Sequence, residues 1–264
     1  MKTHILVLVL LCSAVPTAGD AAQLIPHEAL YDLSVRNWRL PSEISRVIGS
    51  QITRLTRSCT DWTNVAVFRL QAETTAGDSI DFETDYESIE SFDGKRLQFR
   101  KTTKANGELI ETLLGVAARS TDGTPGTITV LQPTPHTLPL PAETIFPVAS
   151  IIHSMSQWEA GLHTLNYTMF DGGTLDVSRV FEILVGQVPP TPDLAEADPE
   201  LLEGEAWRST MSFYSYEEGN DEPLITITQN IMPSGVAVEM TQDIGFADVV
   251  LNLRRVRALP QPEC

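Results

Sequence analysis

The sequence is poor in lysine, with only four among 264 residues, one of them Lys2. Lys and Arg together number 18 against 35 Asp and Glu, leaving a formal charge of −17. Such a surface repels phosphate backbones and anionic headgroups, so nucleic acid is excluded as a partner. Long apolar stretches are also missing. Ile5 to Leu11 is an unbroken apolar run, roughly half of the ~20 residues that a membrane span requires. No membrane span is expected.

Catalytic signatures are absent as well. His27-Glu28 has no second histidine at zinc-helix spacing. Asp81, Glu83 and Asp85 imitate the first ligands of a calcium loop, but Tyr86 stands where the sharp turn needs glycine. There is no G-x-S-x-G, no P-loop and no G-x-G-x-x-G. His136, His153 and His163 fall in a loop, a helix and its exit, with no spacing that joins them to a nucleophile. No catalytic, metal-binding or cofactor-binding residue is assigned, and the expectation is a protein that is not an enzyme.

Cysteine is scarce, and its placement is informative. Met1-Lys2-Thr3-His4, the apolar run and the small residues Thr17 to Ala22 form the layout of a secretory signal peptide, spanning 1–22 and cleaved between Gly19 and Ala22. Cys12 leaves with it, because Leu11 occupies the place where a lipobox wants a small residue. Two cysteines remain, Cys59 and Cys264. In an oxidising compartment two thiols read as one bridge. It closes a loop of about 205 residues, worth roughly 5 kcal/mol in the chain-entropy model.

What is present is alternation. Tyr31, Leu33 and Val35 interleave with Asp32, Ser34 and Arg36, and Ile80, Phe82, Thr84 and Tyr86 with Asp81, Glu83, Asp85 and Glu87. A hairpin at Asp93-Gly94 sets Glu87 opposite Arg100 and Glu83 opposite Lys104. Further strands are expected over 109–118, 127–131, 165–169, 175–184, 224–231, 236–240 and 249–253. Short strands at regular intervals predict a sandwich or barrel-like sheet in one domain, 23–264. The helical spacing of Val148, Ile151, Ile152, Met155 and Trp158 predicts one amphipathic helix over about 144–160, packed on the sheet. The acidic, proline-rich 189–204 segment reads as a mobile loop. Large residues share one sheet face, and Tyr31, Phe82, Phe99, Tyr167, Phe181 and Phe246 are candidates for lining a concave groove. Periodicity leaves open whether they fill a core instead.

Several segments together resemble a known family. These are His27 to Ser34, Ser58-Cys59-Thr60-Asp61-Trp62-Thr63-Asn64, Phe82 to Ser88 running to Asp93-Gly94, Leu138-Pro139-Leu140-Pro141-Ala142 with Phe146-Pro147, Phe170-Asp171-Gly172, and the tail Leu259 to Cys264. In this order they are similar to EipB, a family of periplasmic envelope-integrity proteins of alphaproteobacteria. The Asp-Gly-Trp that often follows that family's first cysteine appears here as Thr60-Asp61-Trp62. The resemblance implies a mainly β fold: one antiparallel, many-stranded sheet curled into an open barrel or β-spiral, with an overall shape like that of periplasmic lipoprotein carriers. Its disulfide maps onto Cys59 and Cys264. The resemblance also implies a periplasmic location, resistance to envelope stress and a link to a periplasmic tetratricopeptide-repeat protein, with no catalytic residue to carry over.

The expectation is thus a non-enzymatic periplasmic protein that supports the envelope by binding a lipid, a lipoprotein or a protein partner. Two alternatives are an envelope hydrolase or transferase with a site assembled from scattered carboxylates and histidines, and a structural tether acting through a sheet edge or the 189–204 loop.

Overall fold

The computed structural model describes residues 24–39, 44–120, 122–189, 194, 196–217, 219, 222–243 and 247–264. The expected signal peptide, Cys12 and Phe246 lie outside the described residues. Fifteen strands follow one another along the chain: β1 His27–Arg36, β2 Ile44–Arg57, β3 Asp61–Thr74, β4 Ser79–Ser91, β5 Arg96–Ala105, β6 Glu108–Ala118, β7 Gly126–Gln132, β8 His136–Leu140, β9 Thr144–Ile145, β10 Thr164–Met169, β11 Ser178–Val188, β12 Ala206–Ser215, β13 Ile225–Ile231, β14 Ala237–Asp243 and β15 Asp248–Ala258. They make a single sheet in the order β8-β7-β6-β5-β4-β3-β2-β1-β15-β14-β13-β12-β11-β10-β9. The sheet coils into a nearly closed barrel with an unsealed seam between β8 and β9.

Alternation decides which side chains face the interior. In β4 the inner set is Ile80, Phe82, Thr84, Tyr86, Ser88 and Glu90. Their cross-strand partners on β3 are Ala72, Leu70, Phe68, Ala66, Asn64 and Trp62. The Asp93-Gly94 hairpin holds the expected register, with Glu87 opposite Arg100 and Glu83 opposite Lys104. Outside, Arg69 pairs with Asp85 at 3.1 Å and lies 3.7 Å from Glu83.

Three long strands escape the pattern read from sequence, and β2 shows why. Its inner face carries Gly49, Gln51 and Thr53, opposite Leu33, Tyr31 and Ala29 of β1. Ile48 and Ile52 point outward, 41% and 39% exposed. Polar residues inside and apolar residues outside cancel the expected amphipathic signal. β3 and β12 are likewise recovered only by pairing with their neighbours.

The helix α1 runs over Pro147–Glu159, shorter than the predicted 144–160. The difference has a cause: Thr144 and Ile145 pair in parallel with Thr168 and Met169 as β9 before Pro147 opens the first turn. Val148, Ser150, Ser154, Met155 and Trp158 are buried, while Ile151 and Ile152 pack partly against the same cluster. That cluster also takes Leu55 and Trp62 from one part of the sheet and Leu165, Leu184 and Ile231 from another. Both groups come from inner faces, so the helix sits in the lumen as a plug.

Across the unsealed seam, packing stands in for the missing ladder. Phe99 of β5 meets Phe170, just past β10, edge to face with centroids 5.4 Å apart, and Phe146, Leu140, Ile128 and Val130 complete the cluster. Gly172 lies so near that a Cβ there would stand 2.5 Å from the Phe99 side chain, and its φ is +71°. Tyr86 donates its hydroxyl hydrogen bond to the Asp171 carbonyl, and Lys101 Nζ donates to the Gly173 carbonyl at 3.0 Å.

The opposite junction joins β1 to β15 by a continuous ladder from His27↔Ala258 to Arg36↔Asp248, with one bulge. Cys59, in the β2–β3 turn, is bonded to Cys264 across 205 residues of sequence. The described part of the 189–204 segment lies against β15. β15 pairs with β14 only as far as Asn252, so its last residues offer a free edge. Ala197 bridges to Val256, and the Ala258 N–H donates to the Asp198 carboxylate at 2.7 Å. Leu201, in the 3₁₀ turn Pro199–Leu202, is fully buried in the core.

Candidate functional site

Two buried carboxylates grip the plug from different strands. Glu90 is only 2% exposed at the end of β4. Its two oxygens accept the N–H groups of Val148 and Ala149 at 2.7 and 2.8 Å, so it satisfies orphan donors of the first helical turn. Burial raises its carboxyl group to about 7, against the opposing effect of those two backbone bonds. Glu182 of β11 is 1% exposed and accepts the Ser154 hydroxyl at 2.6 Å and the Tyr167 hydroxyl at 3.2 Å. Burial raises its pKa too, partly offset by Ser154. The plug is thus tied at its first turn and at its middle.

Beneath the helix lies a cavity of about 200 Å³. Its apolar wall comes from Leu55, Val148, Ile151, Ile231, Met240 and Leu251. Its polar groups are His27, Gln51, Thr53, Asn64 and Gln229, on the inner faces of β1, β2, β3 and β13. No Asp, Glu, Lys or Arg lines it. Burial lowers the pKa of His27, and its Nδ1 lies 2.7 Å from the Ile25 carbonyl. The imidazole is therefore neutral, and Nδ1 carries the donated hydrogen. Beyond the cavity the inner face stays apolar and half-buried at Phe68, Leu70, Ile80 and Phe82, and again at Met211, Phe213, Ile225 and Ile227.

The six candidate lining residues divide. Tyr31 is buried at the cavity wall, and its hydroxyl meets Thr53 of β2. Phe82 is half-buried on the inner face of β4. Phe99 packs within the seam cluster, and Tyr167 reaches Glu182 rather than open lumen. Phe181 follows the outward set of β11, between buried Val180 and Glu182, opposite Asn166 and Ser212. Phe246 is outside the described residues. Of the five that are described, only Tyr31 touches the cavity.

Aromatic residues were the visible signal in the sequence, yet the cavity's chemistry comes from carboxamides. Gln51, Asn64 and Gln229 each sit at an inward position of a strand. That placement could have been read only from a register that β2 does not advertise. Glu90 and Glu182 were equally hidden, since a carboxylate in an alternating strand normally marks the wet face.

The scattered histidines do not converge on a nucleophile. His136 Nδ1 bonds the Thr134 carbonyl at 2.7 Å, and His153 packs edge-on against Tyr167. Ser154 gives its hydroxyl hydrogen to Glu182 and is itself 4% exposed. Among the described residues no group of three His, Cys, Asp or Glu is placed to hold a metal ion. No helix among them is long and apolar enough to cross a membrane.

Comparison with known proteins agrees with this architecture. The cell envelope integrity protein EipB of Brucella abortus is 26% identical over 236 residues, covering 87% of this chain and 82% of that protein. The crystal structure of a β-barrel-like protein of a domain of unknown function, also from Brucella abortus, superposes with a TM-score of 0.82 at 21% identity. That superposition covers 90% of this chain and 99% of the other. The sequence model of the EipB-like family matches residues 18–260, the whole of the described sheet, and the chain belongs to that family.

Proposed function

We propose that this is a non-enzymatic periplasmic protein that supports envelope integrity and resistance to envelope stress by holding a lipidic ligand within its coiled sheet. The observation that carries the reading is the cavity of about 200 Å³ under α1, continuing into half-buried apolar inner-face residues. A sheet filled for stability alone would close that space, since proteins pack interiors densely and empty volume destabilises them. The name of the Brucella relative supports the envelope role. The disulfide between Cys59 and Cys264 suits an oxidising compartment.

The ligand is an acyl chain, either free or part of a lipoprotein, and a tetratricopeptide-repeat protein in the same compartment belongs to the same reading as a partner. A hydrolase is disfavoured by Ser154, whose hydroxyl is buried and committed to a carboxylate. The test is native mass spectrometry of protein purified from its own periplasm under mild conditions. Retained intact acyl species support carriage. Ligand-free protein that also fails to take up lipids from envelope extracts would sink it.

A further inference from the structure

We infer that the cavity under α1 receives the uncharged linkage of an aliphatic chain, an ester or amide group with its adjoining methylenes, and rejects the free carboxylate. This rests on the lumen-binding reading above and specifies the chemistry of what it holds.

The inference begins with what the cavity wall lacks. An anion taken from water needs a cation or a cluster of donors to offset its desolvation. No arginine or lysine lines the cavity, and its one imidazole carries no charge. Two buried carboxylates, Glu90 and Glu182, hold the helix that roofs it. The protein as a whole carries a formal charge of −17. No cation on the cavity wall is placed to receive an anion.

What the wall contains is equally specific. Gln51, Asn64 and Gln229 make no side-chain hydrogen bond to another described residue, although all three are partly buried in the lumen. None of their amide atoms is sealed from water without a partner, so a bound group can reach them without breaking an internal bond. A carboxamide offers both a donor and an acceptor, so three of them around an apolar space match a neutral group that accepts hydrogen bonds. An ester carbonyl or an amide fits that description and brings no charge. The Thr53 hydroxyl, beside Tyr31, can contribute along with the carboxamides. Size sets the rest. An engineered apolar cavity of about 150 Å³ accepts one benzene, so about 200 Å³ holds a linkage and a few methylenes. The remaining chain would run along the half-buried inner face, over Phe68, Leu70 and Phe82.

The test compares three probes of one chain length, monododecanoylglycerol, dodecanamide and dodecanoate, titrated calorimetrically into the purified full protein at about pH 8, where the acid is ionised. The ester and the amide should bind about tenfold more tightly than dodecanoate, or better. The triple variant Gln51→Leu/Asn64→Leu/Gln229→Leu should abolish that preference while still binding chains, and Gln51→Leu alone should weaken it. Ile151→Trp, which fills the cavity from the helix side, should weaken all three probes. Equal or tighter binding of dodecanoate by the wild type overturns the linkage assignment but leaves lumen binding standing. So does a triple variant that keeps the preference. If no probe binds, both readings fall.

Discussion

The ring of strands is completed in two places by different physics. Between β1 and β15 the polypeptide is discontinuous, yet hydrogen bonding is continuous along both strands. Between β8 and β9 the chain is continuous, yet the ladder is broken. At the first junction Glu28 is flanked on the outer face by Arg54 of β2 and Arg257 of β15, which lower its pKa, Arg54 most. At the second, aromatic packing and two side-chain bonds to carbonyls replace the ladder. Backbone pairing is repetitive and tolerates substitution. Packing at the seam depends on particular shapes, above all Phe99 against Phe170 and Gly172. The two junctions should therefore respond to different perturbations.

The largest effect is expected at the ladder junction. Cys59→Ser, or reductant on the wild type, should lower stability by about 5 kcal/mol on the chain-entropy argument, read as a shifted urea midpoint. An unchanged midpoint would mean that pairing alone closes this side. Next comes Phe99→Ala, which should cost about 4 kcal/mol. Its signature is regional: amide exchange should rise in β8–β10 while β1 and β15 stay protected. Uniform acceleration across the sheet would erase the distinction between the junctions.

Acidity separates the plug from both junctions. The folded pKa of Glu90 lies above its ordinary value of 4.5, at about 7, so the folded state holds the extra proton in between. Stability contributed by this group is full below about pH 4.5 and is lost as pH rises towards 7, by something on the order of 3 kcal/mol. Glu182 shifts in the same direction. Glu90→Gln should flatten that part of the stability–pH profile whatever it does to the absolute value; an unaltered slope would remove Glu90 as its source. The smallest effect is expected at Glu83→Lys. Both Glu83 and its partner Arg69 are about 40% exposed, so the change should stay within about 1 kcal/mol. A larger loss in thermal melts would show that the outer face of β4 is not solvated as described.

Much of the sheet was legible because β1, β4 and β5 alternate cleanly and Asp93-Gly94 fixes a register. The helix was legible from the spacing of Val148, Met155 and Trp158. What stayed hidden follows one physical cause. The lumen is partly polar, so β2 carries Gln51 and Thr53 inward and sheds Ile48 and Ile52 outward, reversing the rule by which strands are recognised. Local rules tend to fail where residues are kept for something other than packing. The docking of Leu201 was invisible for another reason: it depends on β15 outrunning β14, a difference in strand length that appears only once both are paired.

The order of the strands also bears on how the molecule assembles. Every hydrogen-bonded neighbour is also a neighbour along the chain except β1 with β15. Hairpins can therefore zip up one after another with little loop entropy, leaving one encounter that must span the full polypeptide. Until that encounter happens, two long edges stand unpaired, the kind of surface on which chains aggregate. Newly made chains should be most vulnerable in that interval, and a chaperone that shields strand edges would help them most.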